Sequence, residues 1–329
     1  MLKDGGDYLS GQELSEKLGV SRTAVWNMIG RLREEGYEIE AVTNRGYRLV
    51  SAQERDILNE VELAAALRGV RWAGRSFLFK KETGSTNEDV MQWAKEGAPE
   101  GALVVAARQS HGKGRRGRTW ISPADGNVYM SLLLKPSYAA QQAPMVTLVA
   151  AMAVCAGMRR IDKEFYIKWP NDIVLKVKDG RKESYKKVAG ILTEMAMEDA
   201  EIRSIVIGIG LNVNMREIDP EIAETATSLY LGLGKSVNRA QLIGDIWKSF
   251  EGYYELFAAA KDLTPLKVQY EEALVNRGRK VRVLDPNAPF EGTACGIDES
   301  GALLVETKDK AMHSVSAGEV SVRGIMGYV

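Results

Sequence analysis

Cysteine and histidine are scarce in this sequence: Cys155 and Cys295 lie far apart, and His111 and His313 are the only imidazoles in 329 residues. That scarcity argues against a Cys/His metal site, and low cysteine use fits a reducing compartment. Net charge is missing as well, with 44 basic and 44 acidic side chains. Nothing therefore pulls the whole chain toward nucleic acid or a membrane surface, and any anion site must come from local clustering. The N-terminal MLKDGGDYLS has no apolar segment of the kind a signal peptide needs. The longest apolar run, MVTLVAAMAVCAGM at 145–158, has 14 residues, too few to span a bilayer. These absences predict a cytoplasmic protein without a membrane partner.

The length exceeds what one hydrophobic core usually serves, so two or three domains are expected. In SGQELSEKLGV, Ser10 reads as an N-cap and Leu14 and Leu18 as the inward face of a short helix. Gly19-Val20 makes a turn, and a second helix runs from Ser21 as N-cap to Gly36, with Val25, Ile29 and Leu32 on one side. YEIEAVTNRGYRLV then alternates as a hairpin around Asn44-Arg45-Gly46. Two helices joined at a glycine turn and followed by a hairpin predict a winged helix-turn-helix over residues 1–60. A connector with one helix leads into alternating strands and helices, an α+β (mixed α/β) domain over 61–272. Strands are expected at 102–109, 127–135, 165–175, 187–197 and 204–212, and long helices near 86–96, 141–161 and 238–261. Short strands broken by turns fill 273–329, a small β-barrel or sandwich.

The densest charge cluster is RQSHGKGRRGRTWISP at 108–123, where Lys113, Arg115, Arg116 and Arg118 meet no acid before Asp125. Gly112, Gly114 and Gly117 have the G-x-G-x-x-G spacing of a dinucleotide fingerprint. That fingerprint requires a helix directly afterwards, and RTWISPADGNVY has no helical periodicity. No G-K-[ST] follows either, so a Walker loop is excluded. Two readings stay open on the residues alone. One is a solvated basic turn; the other is a loop whose main-chain N–H groups and fanned arginines hold a phosphate.

Further along, GSTNEDV (84–90), NVYMSLLLKP (127–136), IKWPNDIVL (167–175), KVAGILTEM (187–195) and IGIGLNVN (207–214) accompany the basic loop in a fixed order. Together these segments resemble the biotin–protein ligases, specifically the bifunctional kind that also act as biotin operon repressors. The resemblance covers essentially the whole chain. It implies a ligase core between the winged helix and a C-terminal SH3-like β-barrel, joining biotin to ATP as biotinyl-5′-adenylate and passing the biotinyl group to a carrier-protein lysine.

The resemblance also assigns residues. Ser85, Thr86, Asn87, Gln109, Lys113, Gly114, Arg115, Lys187 and Gly190 match biotin contacts. Lys113, Arg116, Arg118, Trp120, Asn171, Asp172 and Asn212 match the ATP or adenylate side. Lys187, Arg115, Arg116 and Arg118 are the catalytic candidates, because a carboxylate attacking a phosphate needs positioned cations. Asp172 is a candidate Mg²⁺ contact through ATP. Each also has a plainer reading. Ser85, Thr86 and Asn87 could cap the helix that follows, Lys187 could be solvated in the charged loop KDGRKESYKK, Trp120 could be core packing, and Asn212 could mark a strand end. The family commonly carries Arg where Lys113 stands. Lysine keeps the charge and loses the bidentate fork, so weaker retention of the adenylate is expected.

Residues 1–50 hold seven Lys/Arg against eight Asp/Glu, a poor electrostatic footprint for DNA that would also suit a protein-contact module. Ser21, Arg22, Thr23, Trp26 and Asn27 nevertheless crowd the start of the second helix, where recognition helices meet bases. Arg31 continues that face and Arg45 lies on the wing. The resemblance implies operator DNA, a homodimer and the adenylate as corepressor. The rival readings are a lipoate–protein ligase and a non-catalytic, biotin-sensing DNA-binding regulator.

Overall fold

A computed structural model describes residues 2, 7–50, 56–124, 126–179, 182–199, 201–285, 288–317, 321–324 and 328–329. The chain forms two compact units, Met1–Asn59 and Glu60–Val329.

In the first unit, α1 (Gly11–Leu18) starts at a capping box. Ser10 accepts from the Glu13 N–H at 3.1 Å, and Glu13 accepts in turn from the Ser10 N–H at 3.2 Å. Gly19, left-handed at φ 65°, ends the helix. Ser21 then caps α2 (Arg22–Glu34), and β1 (Ile39–Val42) pairs antiparallel with β2 (Gly46–Leu49). Leu14, Val25, Ile29, Tyr37 and Ile39 make the core. Leu18, expected inward, is 41% exposed; it is the last residue of α1, at the turn into α2.

The second unit opens with α3 (Glu60–Ala66) and then alternates β3 (Phe77–Lys80), α4 (Thr86–Lys95), β4 (Leu103–Ala106), β5 (Val128–Leu134), α5 (Ala143–Arg159) and β6 (Phe165–Lys168). β7 (Asp172–Asp179), β8 (Lys182–Glu198), β9 (Glu201–Leu211), α6 (Leu229–Leu233), α7 (Arg239–Ala260) and α8 (Lys267–Ala273) follow. Strands β3 to β9 form one seven-stranded sheet in the order β3-β4-β5-β9-β8-β7-β6, with β3 parallel to β4 and the other neighbours antiparallel. Because side chains alternate across a sheet, Val206 of β9 meets Val90 of α4 on one face. The odd-numbered positions look the other way, and there Thr147 of α5 donates to Thr193 of β8.

Helix α5 is apolar all round because the sheet and α7 enclose it; 13 of its 17 residues are buried. Residues 140–159 are long and apolar enough to cross a membrane by composition, yet 72% of that window is buried within the protein. The segment KDGRKESYKK is strand on either side of Gly180-Arg181, which lie outside the described residues, rather than the loop its charge implied. Cross-strand pairing accounts for this: Lys176 meets Glu183 at 2.9 Å, and Tyr185 packs edge-on against Tyr166 at 5.7 Å. Lys186 is tied to the Ala223 carbonyl at 2.7 Å.

After α8 come β10 (Lys280–Leu284), β11 (Phe290–Ile297), β12 (Leu303–Glu306), β13 (Met312–Val315) and β14 (Ser321–Gly324), an antiparallel sheet in the order β13-β12-β11-β10-β14. The expected boundary at 272/273 marks a change from helix to sheet inside one compact unit. Trp169, buried beyond β6, joins the two sheets. Its Nε1 donates to the Gly301 carbonyl at 3.0 Å, and its main-chain N–H donates to Asn276 Oδ1 at 2.9 Å.

Candidate active site

Three glycines on adjacent strands make the floor of the site: Gly190 of β8 pairs with Gly210 of β9, and Gly208 lies two residues away on the same face. A Cβ on Gly210 would sit 2.5 Å from the Trp120 indole, and one on Gly190 would sit 2.7 Å from the same ring. A Cβ on Gly208 would collide with the Asn87 amide. Glycine is required because aromatic and amide groups lie flat on the backbone, not because of positive φ.

Above this floor a cleft of ≈ 490 Å³, open at its mouth, is lined by Ser85, Thr86, Asn87, Gln109, Lys113, Gly114, Arg115, Trp120, Asn171, Lys187, Gly190 and neighbouring strand residues. Ser85 occupies the N-cap position of α4, yet its hydroxyl makes no capping bond. Thr86 donates its main-chain N–H (2.8 Å) and its hydroxyl (3.0 Å) to Gln109 Oε1. Ser131 Oγ lies 2.7 Å from Thr86 Oγ1 and 2.6 Å from Asn87 Oδ1, and Asn87 Nδ2 donates to Glu194 at 2.5 Å. The capping interpretation is thereby replaced by a buried polar chain.

The loop 112–120 folds back on itself. Gly114 N–H donates to the Arg118 carbonyl at 2.7 Å and Trp120 N–H to the Gly112 carbonyl at 2.9 Å, around a 3₁₀ turn with Arg116 at φ 58°. No helix follows, so the glycines serve compactness and close approach. Arg115 donates to Asn171 Oδ1 at 3.0 Å and to the Ala317 carbonyl, which pins the loop to both sheets. Lys113 is turned to Glu88 of α4 at 2.6 Å, and both partners are about half exposed.

A second cleft, ≈ 770 Å³ with its open mouth, shares Gly114, Arg115, Trp120, Asn171 and Lys187 with the first. Six cations line it (Arg115, Arg116, Arg118, Lys168, Lys187 and Arg323) against one carboxylate, Asp172. Lys187 stands in β8 where a register shift against β7 bends the strand. Its ammonium lies 2.6 Å from Asp172 Oδ1 and 4.9 Å from the Trp120 ring centroid. Tyr328 donates to Asp172 Oδ2 at 2.5 Å. Burial pushes the Asp172 carboxyl up, but the ammonium groups of Lys187 and Lys168 and the hydrogen bonds from Lys187 and Tyr328 outweigh it, and it stays below the ordinary aspartate value. Burial and the Asp172 charge drive the Tyr328 phenol far up, so it remains an O–H donor.

Lys168 is 6% exposed, and burial above all, with Lys187, Arg323 and Arg118 adding repulsion against the attraction of Asp172, lowers it to about 8. Anion binding in this cleft should therefore weaken as pH rises through about 8, and Lys168→Arg should flatten that limb of the pH profile. Stability moves the opposite way. Above about 8 the unfolded chain keeps a proton that the folded one sheds, so stability rises with pH relative to Lys168→Met. Parallel melts and ATP titrations across that window check both; a pH-independent difference from Lys168→Met would refute the assignment.

Asn212 is buried with its amide on the Thr227 carbonyl at 3.2 Å, and it lines neither cleft. Both Asp172 oxygens are engaged, and among the described residues no three His, Cys, Asp or Glu side chains gather into a metal site. The residues present thus do not fit a protein-built Mg²⁺ cage. Ser131, Glu194, Lys168, Arg323 and Tyr328 were absent from the sequence assignments. Lys168 alone carried a signal, standing directly before Trp169 in IKWPND.

The other expected surface lies on the first unit. Ser21, Arg22, Thr23, Asn27 and Arg31 are exposed along one helix, and Trp26 is 66% exposed. Arg33 is spent on the Ile39 carbonyl, at 2.6 and 3.1 Å. On the wing, Arg45 and Arg48 stack over Tyr8 at 5.2 and 4.8 Å.

Residues 79–212 match the biotin/lipoate A/B protein ligase family, residues 1–48 an HTH domain and residues 278–323 the biotin protein ligase C-terminal domain. The bifunctional ligase/repressor BirA of Bacillus subtilis (strain 168) is 40% identical over 308 residues, 93% of this chain and 91% of that protein. The Escherichia coli K12 protein of the same name is 28% identical over 97% of this chain and 94% of its own length. The biotin protein ligase from Aquifex aeolicus in complex with biotin and ATP superimposes with a TM-score of 0.65 at 30% identity, covering 76% of this chain and 99% of that one. With helix-turn-helix, ligase core and C-terminal domain in the same order, the chain belongs to the biotin protein ligase family, in its bifunctional ligase/repressor branch.

Proposed function

We propose that the protein activates biotin with ATP and transfers the biotinyl group to a lysine of a biotin carboxyl carrier protein. The observation that carries this reading is the pair of clefts joined at Lys187, one combining the neutral hydrogen-bonding groups of Ser85, Thr86, Asn87 and Gln109 with Lys113, Arg115 and Lys187, the other lined by six cations. Biotin enters the first with its ureido head on Ser85, Thr86 and Asn87 and its carboxylate toward Arg115 and Lys187. The triphosphate lies in the second, against Arg116, Arg118 and Lys168, with Trp120 and Asn171 between the two substrates. A carboxylate oxygen attacks the α-phosphate, the bond to the β-phosphate oxygen breaks, and pyrophosphate leaves. The cations offset the anion–anion repulsion and stabilise the charge spread over the phosphoryl oxygens. In the second half-reaction a carrier lysine amine attacks the biotinyl carbonyl, the amide forms, AMP leaves and the amine sheds a proton. Loop 112–120 covers the mixed anhydride and excludes water. Mg²⁺ arrives as part of the nucleotide substrate.

In the first unit, Ser21, Arg22, Thr23, Trp26, Asn27 and Arg31 enter the major groove and Arg45 follows with the wing. Biotin-responsive repression then couples the halves: the retained adenylate favours a homodimer that binds a near-palindromic operator in the cytoplasm. Pyrophosphate release from ATP, with biotin or lipoate and without carrier, tests the enzyme half. Biotin-specific release is expected, whereas release with lipoate alone moves the assignment to the sister ligases. No release despite biotin binding leaves a sensor without chemistry. Biotin plus ATP should also tighten binding to promoter DNA; affinity unchanged by the ligands would refute the corepressor role.

A further inference from the structure

We propose that Glu194, which lines neither cleft, is a positioning residue that fixes which atoms the biotin cleft presents to its ligand; the inference rests on the ligase reading above. Asn87, Ser131 and Glu194 come from α4, β5 and β8, and sheet order alone brings them together. An amide could lie on Gly208 either way round. A carboxylate only accepts, however, so Glu194 takes the nitrogen end of Asn87 at 2.5 Å. The oxygen end then faces the Ser131 hydroxyl at 2.6 Å and claims its proton.

The far end of the chain is fixed just as firmly. The Thr86 main-chain N–H can only donate, so Gln109 must offer it Oε1, at 2.8 Å. That oxygen also takes the Thr86 hydroxyl proton at 3.0 Å, and Gln109 Nε2 is left to donate to Ser122 at 3.2 Å. With its proton committed, Thr86 Oγ1 offers the cleft a lone pair. The cleft therefore accepts from a ligand N–H, as a cyclic urea supplies, and disfavours an analogue whose ring N–H is methylated. Removing Glu194 releases the Asn87 amide and with it the proton of Ser131, which can then turn to Thr86 Oγ1 at 2.7 Å and fill the lone pair otherwise offered to the ligand. The fold and the nucleotide cleft are untouched.

Steady-state pyrophosphate exchange tests this on the full chain. Glu194→Ala should raise the KM for biotin at least tenfold while the KM for ATP and kcat stay within about twofold. Glu194→Gln, which still offers an acceptor oxygen, should recover to within about threefold of the parent. The double variant Asn87→Ala/Glu194→Ala should be no worse than Asn87→Ala alone, because Glu194 acts through Asn87. A biotin KM unmoved by Glu194→Ala, a parallel rise in both KM values, or additive effects in the double variant would each overturn the positioning role. Absence of biotin-dependent exchange in the parent would instead overturn the ligase reading, so the two failures are distinct.

Discussion

Replacing Lys187 with alanine should slow adenylate formation about 100- to 1,000-fold, the usual cost of deleting one group that meets developing charge in a water-poor site. The loss should fall on kcat more than on the KM for biotin, because in the binding mode proposed above Ser85, Thr86, Asn87 and Gln109 still hold the head group. The variant should also lose about 3 kcal/mol of stability, the lower end for breaking a buried ion pair, since Lys168 and Tyr328 still face Asp172. Folding and chemistry can be separated. Asp172→Asn/Lys187→Met removes both charges and should recover most of the melting temperature without recovering pyrophosphate release. Recovery of activity in that double variant would mean that Lys187 merely neutralises Asp172.

The second large effect is expected where nothing polar is altered. Gly210→Ala places a methyl group 2.5 Å from the Trp120 ring, and Gly208→Ala drives one into Asn87. Either group must shift by close to an ångström, and displacements of that size in a preorganised site cost about 100-fold in kcat/KM. The stability cost should be about 1–3 kcal/mol, as for other overpacked positions. Gly252→Ala is the control. That position is exposed on α7 with nothing within 4 Å of the added methyl, so it should gain about 0.5–1 kcal/mol and leave activity unchanged. Equal kcat/KM for Gly210→Ala and Gly252→Ala would refute the stacked floor.

The parts of the site legible in the sequence are those whose chemistry is written locally. Gly112, Gly114 and the cations around them share one loop, and Ser85, Thr86 and Asn87 share one helix start. Lys187 stands directly before an apolar strand, and the structure places all of these but Gly112 along two adjoining clefts. Glu194 and Ser131 were invisible because each reads as one more residue of an alternating strand. Only the pairing of β5, β9 and β8 carries them to α4. Charge misled at 178–187, where composition spoke for a hairpin loop and cross-strand pairing carries β7 as far as Asp179 and starts β8 at Lys182. Arg323 and Tyr328 were missed for a related reason. Nothing in a small terminal β-sheet announces that its chain closes a cleft belonging to the larger one.

Trp169 leans on Asn276 and Gly301, Arg115 on the Ala317 carbonyl, and Asp172 on Tyr328. During synthesis the residues that supply those contacts emerge from the ribosome late, more than a hundred residues after the basic loop. The helix-turn-helix unit has its whole sequence in hand while the ligase still lacks the supports of its turn, its loop and its carboxylate. A stalled or clipped chain ending near residue 270 would therefore keep the reading head and lose the chemistry. Such a fragment could not make the adenylate on which, in the function proposed above, its own switching depends.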